Sequence, residues 1–149
     1  MVESRTKPKL TPADHGRRMS LADFENAQVQ EGYRYELSRG VIVVCEIPNP
    51  CEGIILDAVR QQFAIYRPTQ PGVIKMIASA AGCKILLQQL ESERHPDMAL
   101  YLTQPPSNDS TAWRSWIPEI VVEVVSPDSF ERDYKEKREE YLQFGVREY

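Results

Sequence analysis

Apolar and polar positions along the chain fall into short periodic runs separated by turn residues. Ser20 followed by Asp23 has the form of a helix N-cap with an acid in the first turn, and Leu21, Phe24 and Ala27 supply one apolar face, so a first helix is predicted before Gly32. YRYEL and VIVVCEI are strand-like runs on either side of Ser38, Arg39 and Gly40, a hairpin spacing with glycine available for the left-handed turn position. After the loop PNPC, Ile55, Val59, Phe63 and Tyr66 recur at spacings of three and four, which predicts an amphipathic helix over 52–67 ended by the turn from Pro68 to Gly72. Three strands are expected next, VIKMIASA, CKILLQQL and DMALYL, broken at Gly82 and at the polar segment ESERHP, and residues 103–116 read as a long polar loop. EIVVEVV is dense in β-branched residues and reads as an interior strand. A helix from Phe130 to Phe144, closed by Gly145, and the start of a further strand in VREY complete the pattern.

The interruptions of this pattern carry the candidate chemistry. Glu123 breaks IVVEVV, with Ile120, Val122 and Val124 on one face and Val121, Glu123 and Val125 on the other. A carboxylate between valines costs several kcal/mol, of order, if buried without a partner, so it is either paired, protonated, metal-bound or on an exposed edge. Asp97 follows a proline at the mouth of the strand DMALYL, either as a turn element or as a site residue at a strand end. Were the two carboxylates about 4 Å apart, they would repel by about 4 kcal/mol at an effective dielectric near 20, which a divalent cation turns into attraction. On the last helix Phe130, Tyr134, Tyr141 and Phe144 lie in one stripe, and Lys137 fills the gap on the same face. Lys137 therefore points inward, to snorkel at the rim or to meet the carboxylates, while Lys135 and Arg138 read as solvated. Glu36, in YRYELSRG, is a further inward candidate or else a hairpin charge.

Composition narrows the chemistry. With 149 residues there is room for one core, and 42% hydrophobic with 27% charged residues is the balance of a globular protein. A net charge of −4 removes a broad basic surface, so any polyanion is held locally or through a cation. Two histidines, His15 and His95, exclude a multi-histidine zinc site, and hard carboxylate oxygens favour Mg²⁺ or Mn²⁺. Cys45, Cys51 and Cys83 form no CxxC pair, which points to a reducing, cytoplasmic setting. No apolar run is long enough to span a membrane. Residues 1–18, with five basic side chains and two prolines, read as a flexible basic tail or a DNA-contacting arm, leaving 19–149 as the domain.

The blocks YELSRG, HPDMALY, PEIVVEVVSPDS and DYKEKREEYLQFGVREY together resemble the Uma-two-type restriction endonuclease family of the PD-(D/E)XK superfamily. The specific part is a Glu in a valine-rich strand ending in Ser-Pro, then a helix with Lys, Tyr four residues on, and Gly-Val: here Glu123, Ser126, Pro127, Lys137, Tyr141, Gly145 and Val146. The resemblance implies an α/β fold of the α+β type, with a restriction-endonuclease-like core in which a central mixed β-sheet is flanked by helices. It implies a divalent metal between Asp97 and Glu123, with the backbone carbonyl of Val124 as a further ligand and Glu36 completing the acidic cluster. Val125 stands where the superfamily expects lysine, and the following helix supplies it as Lys137. Glu52 stands near where many relatives carry histidine. Relatives continue past Tyr149 into a further strand, so a C-terminally truncated domain is expected.

The function expected is metal-dependent endonucleolytic hydrolysis of DNA, with Asp97 and Glu123 holding Mg²⁺ or Mn²⁺, Lys137 orienting the nucleophile, and a homodimer left open. The alternative is a catalytically inactive nuclease-like module that serves in protein association or regulation.

Overall fold

The computed structural model describes residues 7–127 and 129–149. In chain order the elements are β1 (Lys9–Leu10), α1 (Leu21–Asn26), β2 (Gln28–Val29), β3 (Tyr33–Ser38), β4 (Val41–Glu46), α2 (Pro50–Thr69), β5 (Met76–Ala78), β6 (Ile85–Leu87), β7 (Ser92–Arg94), β8 (Met98–Tyr101), β9 (Ile120–Val122) and α3 (Arg138–Phe144). They fall into two compact units: residues up to Ile47 with Leu87–Arg94, and Pro48–Leu86 with His95–Tyr149.

In the first unit the hairpin of β3 and β4 turns at Arg39 and Gly40, both with positive φ (50° and 74°), the two-residue left-handed turn whose twist suits antiparallel strands. α1 is capped by Ser20, whose hydroxyl accepts from Asp23 N at 3.1 Å. It ends at Asn26, well short of Gly32, because Gln28 and Val29 pair in parallel with Lys9 and Leu10. The expected tail is thereby corrected from Lys9 onward. Leu10 is fully buried, Gly16 N donates to Ile42 O and Ile42 N to Arg17 O, so the backbone along β4 holds a segment whose composition offers almost no apolar anchor. Residues 1–6 lie outside the described residues. ESERHP is also corrected: Ser92–Arg94 form β7, antiparallel to β3 with Leu37 opposite Glu93, and all three side chains are buried.

The second unit is built on the antiparallel sheet β5-β8-β9. α2 starts at Pro50, two residues earlier than expected, because Asn49 caps it: its Oδ1 accepts from Cys51 N and Glu52 N, while Glu52 returns a carboxylate to Asn49 N at 3.0 Å. Its packing face is Leu56, Val59 and Phe63, set against Ile74, Met98 and Leu100. Ile55 and Tyr66, expected on that face, are exposed. The other side of β8 places Ala99 and Tyr101 with Ala78, Cys83 and Trp116, so the strand is buried on both faces. β9 is interior: it pairs with β8 on one side, and on the other Ile120 bridges in parallel to Glu148. That bridge is the strand onset read in VREY and makes the sheet mixed, in an α+β fold consistent with a restriction-endonuclease-like core.

Residues 130–144 are helical, but Arg132–Lys137 are π-helical before α3 begins. One extra residue per hydrogen-bonded ring shifts the inward positions before the bulge by one. Ser129, Asp133, Lys137, Glu140 and Tyr141 are buried, whereas Phe130 and Tyr134, expected on the inner stripe, are exposed.

Candidate active site

Asp97 and Glu123 are brought together by strand register. Met98 opposes Val122 and Ala99 opposes Val121, so the next position outward sets Asp97 against Glu123, just past the ends of β8 and β9. Each carboxylate binds the other strand's backbone. Asp97 N donates to Glu123 Oε2 at 3.3 Å, and Val124 N donates to Asp97 Oδ2 at 2.8 Å. These reciprocal bonds fix both side chains where the ladder of backbone bonds ends.

The helix then covers Glu123. Lys137 Nζ donates to Glu123 Oε1 at 2.9 Å and the Tyr141 hydroxyl donates to the same oxygen at 2.7 Å. Lys137 Nζ also lies 3.4 Å from Asp133 Oδ1, one turn earlier. The Lys137 and Glu123 side chains are 1% and 2% exposed, and Asp97 is 7% exposed. Desolvating such charges costs several kcal/mol, of order, per ion, which only well-placed partners offset. The inward reading of Lys137 thus holds, and Lys135 is at the surface, paired with Glu131.

The cluster is electronegative toward its neighbours. Burial, and after it the Glu123 charge, pushes the Cys83 thiol up to about 12. Tyr149 is likewise held well above its ordinary value by burial first, then by Glu123, Asp133 and Asp97. Its hydroxyl donates to Asp133 O at 2.6 Å, and its ring lies 5.4 Å from that of Tyr141. The Nδ1 of His95 faces the carbonyl oxygens of Cys83 and Ala80 at 3.0 and 3.4 Å.

Over residues 21–149 the chain matches the family model Uma2, described as "Putative restriction endonuclease". The chain belongs to the Uma2 family. No curated protein matches it. Membership points to a nuclease, hence to DNA as substrate, and restriction-endonuclease-like families generally use divalent metals.

Within this Uma2 chain the site residues expected from the sequence divide between the two units. Asp97, Glu123, Val124 and Lys137 meet in the second; Val125 is exposed beside them. Glu36 is in the first, buried in β3, with Arg94 Nη1 at 3.3 Å and Ser38 Oγ bound to the same guanidinium. Glu52 serves α2 as the acid of its capping box. Tyr141, read from the sequence as part of the inner stripe and of the family pattern but given no role, and Asp133, not singled out, also reach this cluster; each lies four residues from Lys137 along the chain.

Among the described residues, no three His, Cys, Asp or Glu side chains form a ready metal cluster. Two carboxylates nevertheless suit Mg²⁺, which commonly takes one or two and fills its octahedron with water and substrate phosphate oxygens. Hard oxygen donors on two adjacent strand ends fit that ion, and neither a thiolate nor an imidazole competes within the pair.

Proposed function

We propose that this chain is a divalent-metal-dependent endonuclease that hydrolyses DNA phosphodiesters at the Asp97–Glu123 pair. The observation that carries the reading is a buried lysine, reaching from the helix onto a carboxylate whose strand partner is a second carboxylate. Asp97 and Glu123, with the Val124 carbonyl, would hold Mg²⁺ or Mn²⁺, which when bound lowers the pKa of coordinated water and stabilises charge on phosphate. Lys137 keeps its ammonium at the edge of the pair, in position to orient the attacking water and to meet charge that develops on a phosphate oxygen. Tyr141 donates to the same Glu123 oxygen and so fixes the rotamer of the carboxylate that Lys137 touches. Asp133, whose Oδ1 lies 3.4 Å from Lys137 Nζ and 3.5 Å from Arg132 Nε, adds a second negative charge beside the ammonium. Glu36, proposed by family resemblance for the same acidic cluster, enters no step, since Arg94 engages its carboxylate.

The test is incubation of plasmid and single-stranded DNA with Mg²⁺ or Mn²⁺, comparing the wild type with Glu123→Ala and Glu123→Gln. The glutamine keeps an acceptor for Lys137 and Tyr141, so it separates loss of chemistry from loss of folding. Cleavage by the wild type, abolished in both variants, is expected. Equal cleavage by all three would assign the activity elsewhere, and a folded wild type inert with either metal would leave the inactive nuclease-like module.

A further inference from the structure

The packing face of α2, Leu56, Val59 and Phe63, is met by its own unit, yet no residue of this 20-residue helix is fully buried. About a third of a turn round from that face runs a second apolar stripe, and it stands in water. Ile54, Ile55, Ile65 and Tyr66 are 69%, 52%, 64% and 45% exposed. Single exposed apolar residues are ordinary, but these four hold on the order of 400 Å² along one side of a helix, and a patch of that size is commonly functional. The stripe is also free of charge. Cys51, Ile55, Ala58, Gln62, Ile65 and Thr69 recur at alternating spacings of four and three, the seam of a coiled coil, in a chain of which 27% is charged. Asp57, Arg60 and Arg67 all lie off this seam by the 3.6-residue count, and depletion of charge marks the centre of an interface.

The order of residues along the seam says what covers it. Reversed end for end about the middle of the helix, the seam falls on itself: Cys51 lies across from Thr69, Ile55 from Ile65, and the small Ala58 from the long Gln62. Each of these pairs then occurs twice, which is the condition of a two-fold, isologous contact. Isoleucine meets isoleucine at both ends, and in the middle a small side chain leaves room for a large one. A face shaped for an unrelated protein has no need of this symmetry. We propose that α2 packs antiparallel against α2 of a second copy, so that the chain is a homodimer joined along this seam. A helix of 20 residues is about 30 Å long, and two such faces with their polar rims bring together roughly the 1,000 Å² that a specific interface must clear. Association along α2 asks nothing of the chemistry at Asp97 and Glu123, so the two are tested apart.

The experiment is analytical ultracentrifugation of the full chain under reducing conditions over a range of about 1 to 100 µM, where mass action populates a dimer of ordinary affinity. A dimer is expected at the upper end. Ile55→Glu/Ile65→Glu sets carboxylates against one another at both ends of the seam and should weaken association by about 10²-fold or more. Both positions are exposed, so the variant should keep its fold, which circular dichroism checks. Thr69→Cys tests the direction of pairing and leaves the isoleucines in place. Cys51 is exposed, so on mild oxidation the introduced thiol should link to the partner's Cys51 and give a covalent dimer, which Thr69→Cys/Cys51→Ser should not form. Should the double glutamate variant unfold, the crosslink alone decides. A wild type that stays monomeric at every concentration overturns the proposal and leaves the face to a different protein. A dimer that survives the glutamates in a folded variant, or Thr69→Cys that gives no covalent dimer, overturns it as well, and so does a link between two Cys51 side chains in the oxidised wild type, since that requires parallel helices.

Discussion

Lys137 shows how a single side chain can be placed by its partners rather than by its own hydropathy. Its ammonium lies near two carboxylates, Glu123 at 2.9 Å and Asp133 at 3.4 Å. Lys137→Met retains most of the apolar stem, so the variant is expected to fold and to lose about 10²-fold or more in cleavage, the scale of a lost electrostatic contact in the transition state. Lys135→Met, two residues away and facing solvent with Glu131, should leave the rate nearly unchanged. Equal behaviour of the two variants in a plasmid-nicking assay would remove Lys137 from the mechanism. Cys83 offers a second measurement at this scale. Its thiol stands at about 12 in the fold against an ordinary 9.0, chiefly through burial and then through Glu123. The folded state therefore holds the proton more tightly than the open chain does. That contribution is complete below about pH 9 and is lost as pH rises toward about 12. The melting temperature should fall through this window, and Cys83→Ala should flatten the fall; identical pH profiles for the two proteins would count against it.

Among the elements, the legible parts are those in which local pattern and local bonding agree. The hairpin at Arg39–Gly40, the Ser20 cap and the Gly145 stop were all readable because turn and cap residues act within four positions of themselves. β7 was not, since its polarity is satisfied far along the chain: Arg94 reaches Glu36 and Ser38, and Ser92 Oγ accepts from Arg39 N. A polar run looks like a loop until those partners are known. The candidate site was legible at Asp97, Glu123 and Lys137, where a charge interrupts an apolar period, whereas the inner stripe of the helix was misplaced at Phe130 and Tyr134, where the π-helical turn broke the 3.6-residue count. Gly145 makes the reading of elements testable. Its φ of +104° lets Gly145 N and Val146 N close on the carbonyls of the last helical turn, and a Cβ there would meet Ile117 Cδ1 at 3.4 Å. Gly145→Ala should cost about 1–2 kcal/mol by urea denaturation. It should also weaken the bridge of Glu148 to Ile120, seen as faster amide exchange at Val121, whose N–H donates to Glu148 O. An unchanged midpoint would show that the turn relaxes without strain.

For the whole molecule, the acidic balance and the carboxylate pair give metal and stability a common lever. A net charge of −4 opposes the approach of a polyanion, and a cation held by the proposed pair, Asp97 and Glu123, would relieve that opposition locally. A ligand that binds only the folded chain raises stability by mass action, so the melting temperature should rise with Mg²⁺ concentration. Asp97→Asn tests whether the rise comes from this pair. Asparagine Oδ1 can still accept from Val124 N, as Asp97 Oδ2 does at 2.8 Å, so the strand ends stay joined while one negative charge is lost. The variant should show a smaller Mg²⁺-dependent rise, together with a metal-free melting temperature equal to or above that of the wild type, because the charge it removes faced Glu123. A wild type insensitive to Mg²⁺, with Asp97→Asn destabilised, would mean that the aspartate serves only the hydrogen bond to Val124 and that the pair holds no cation.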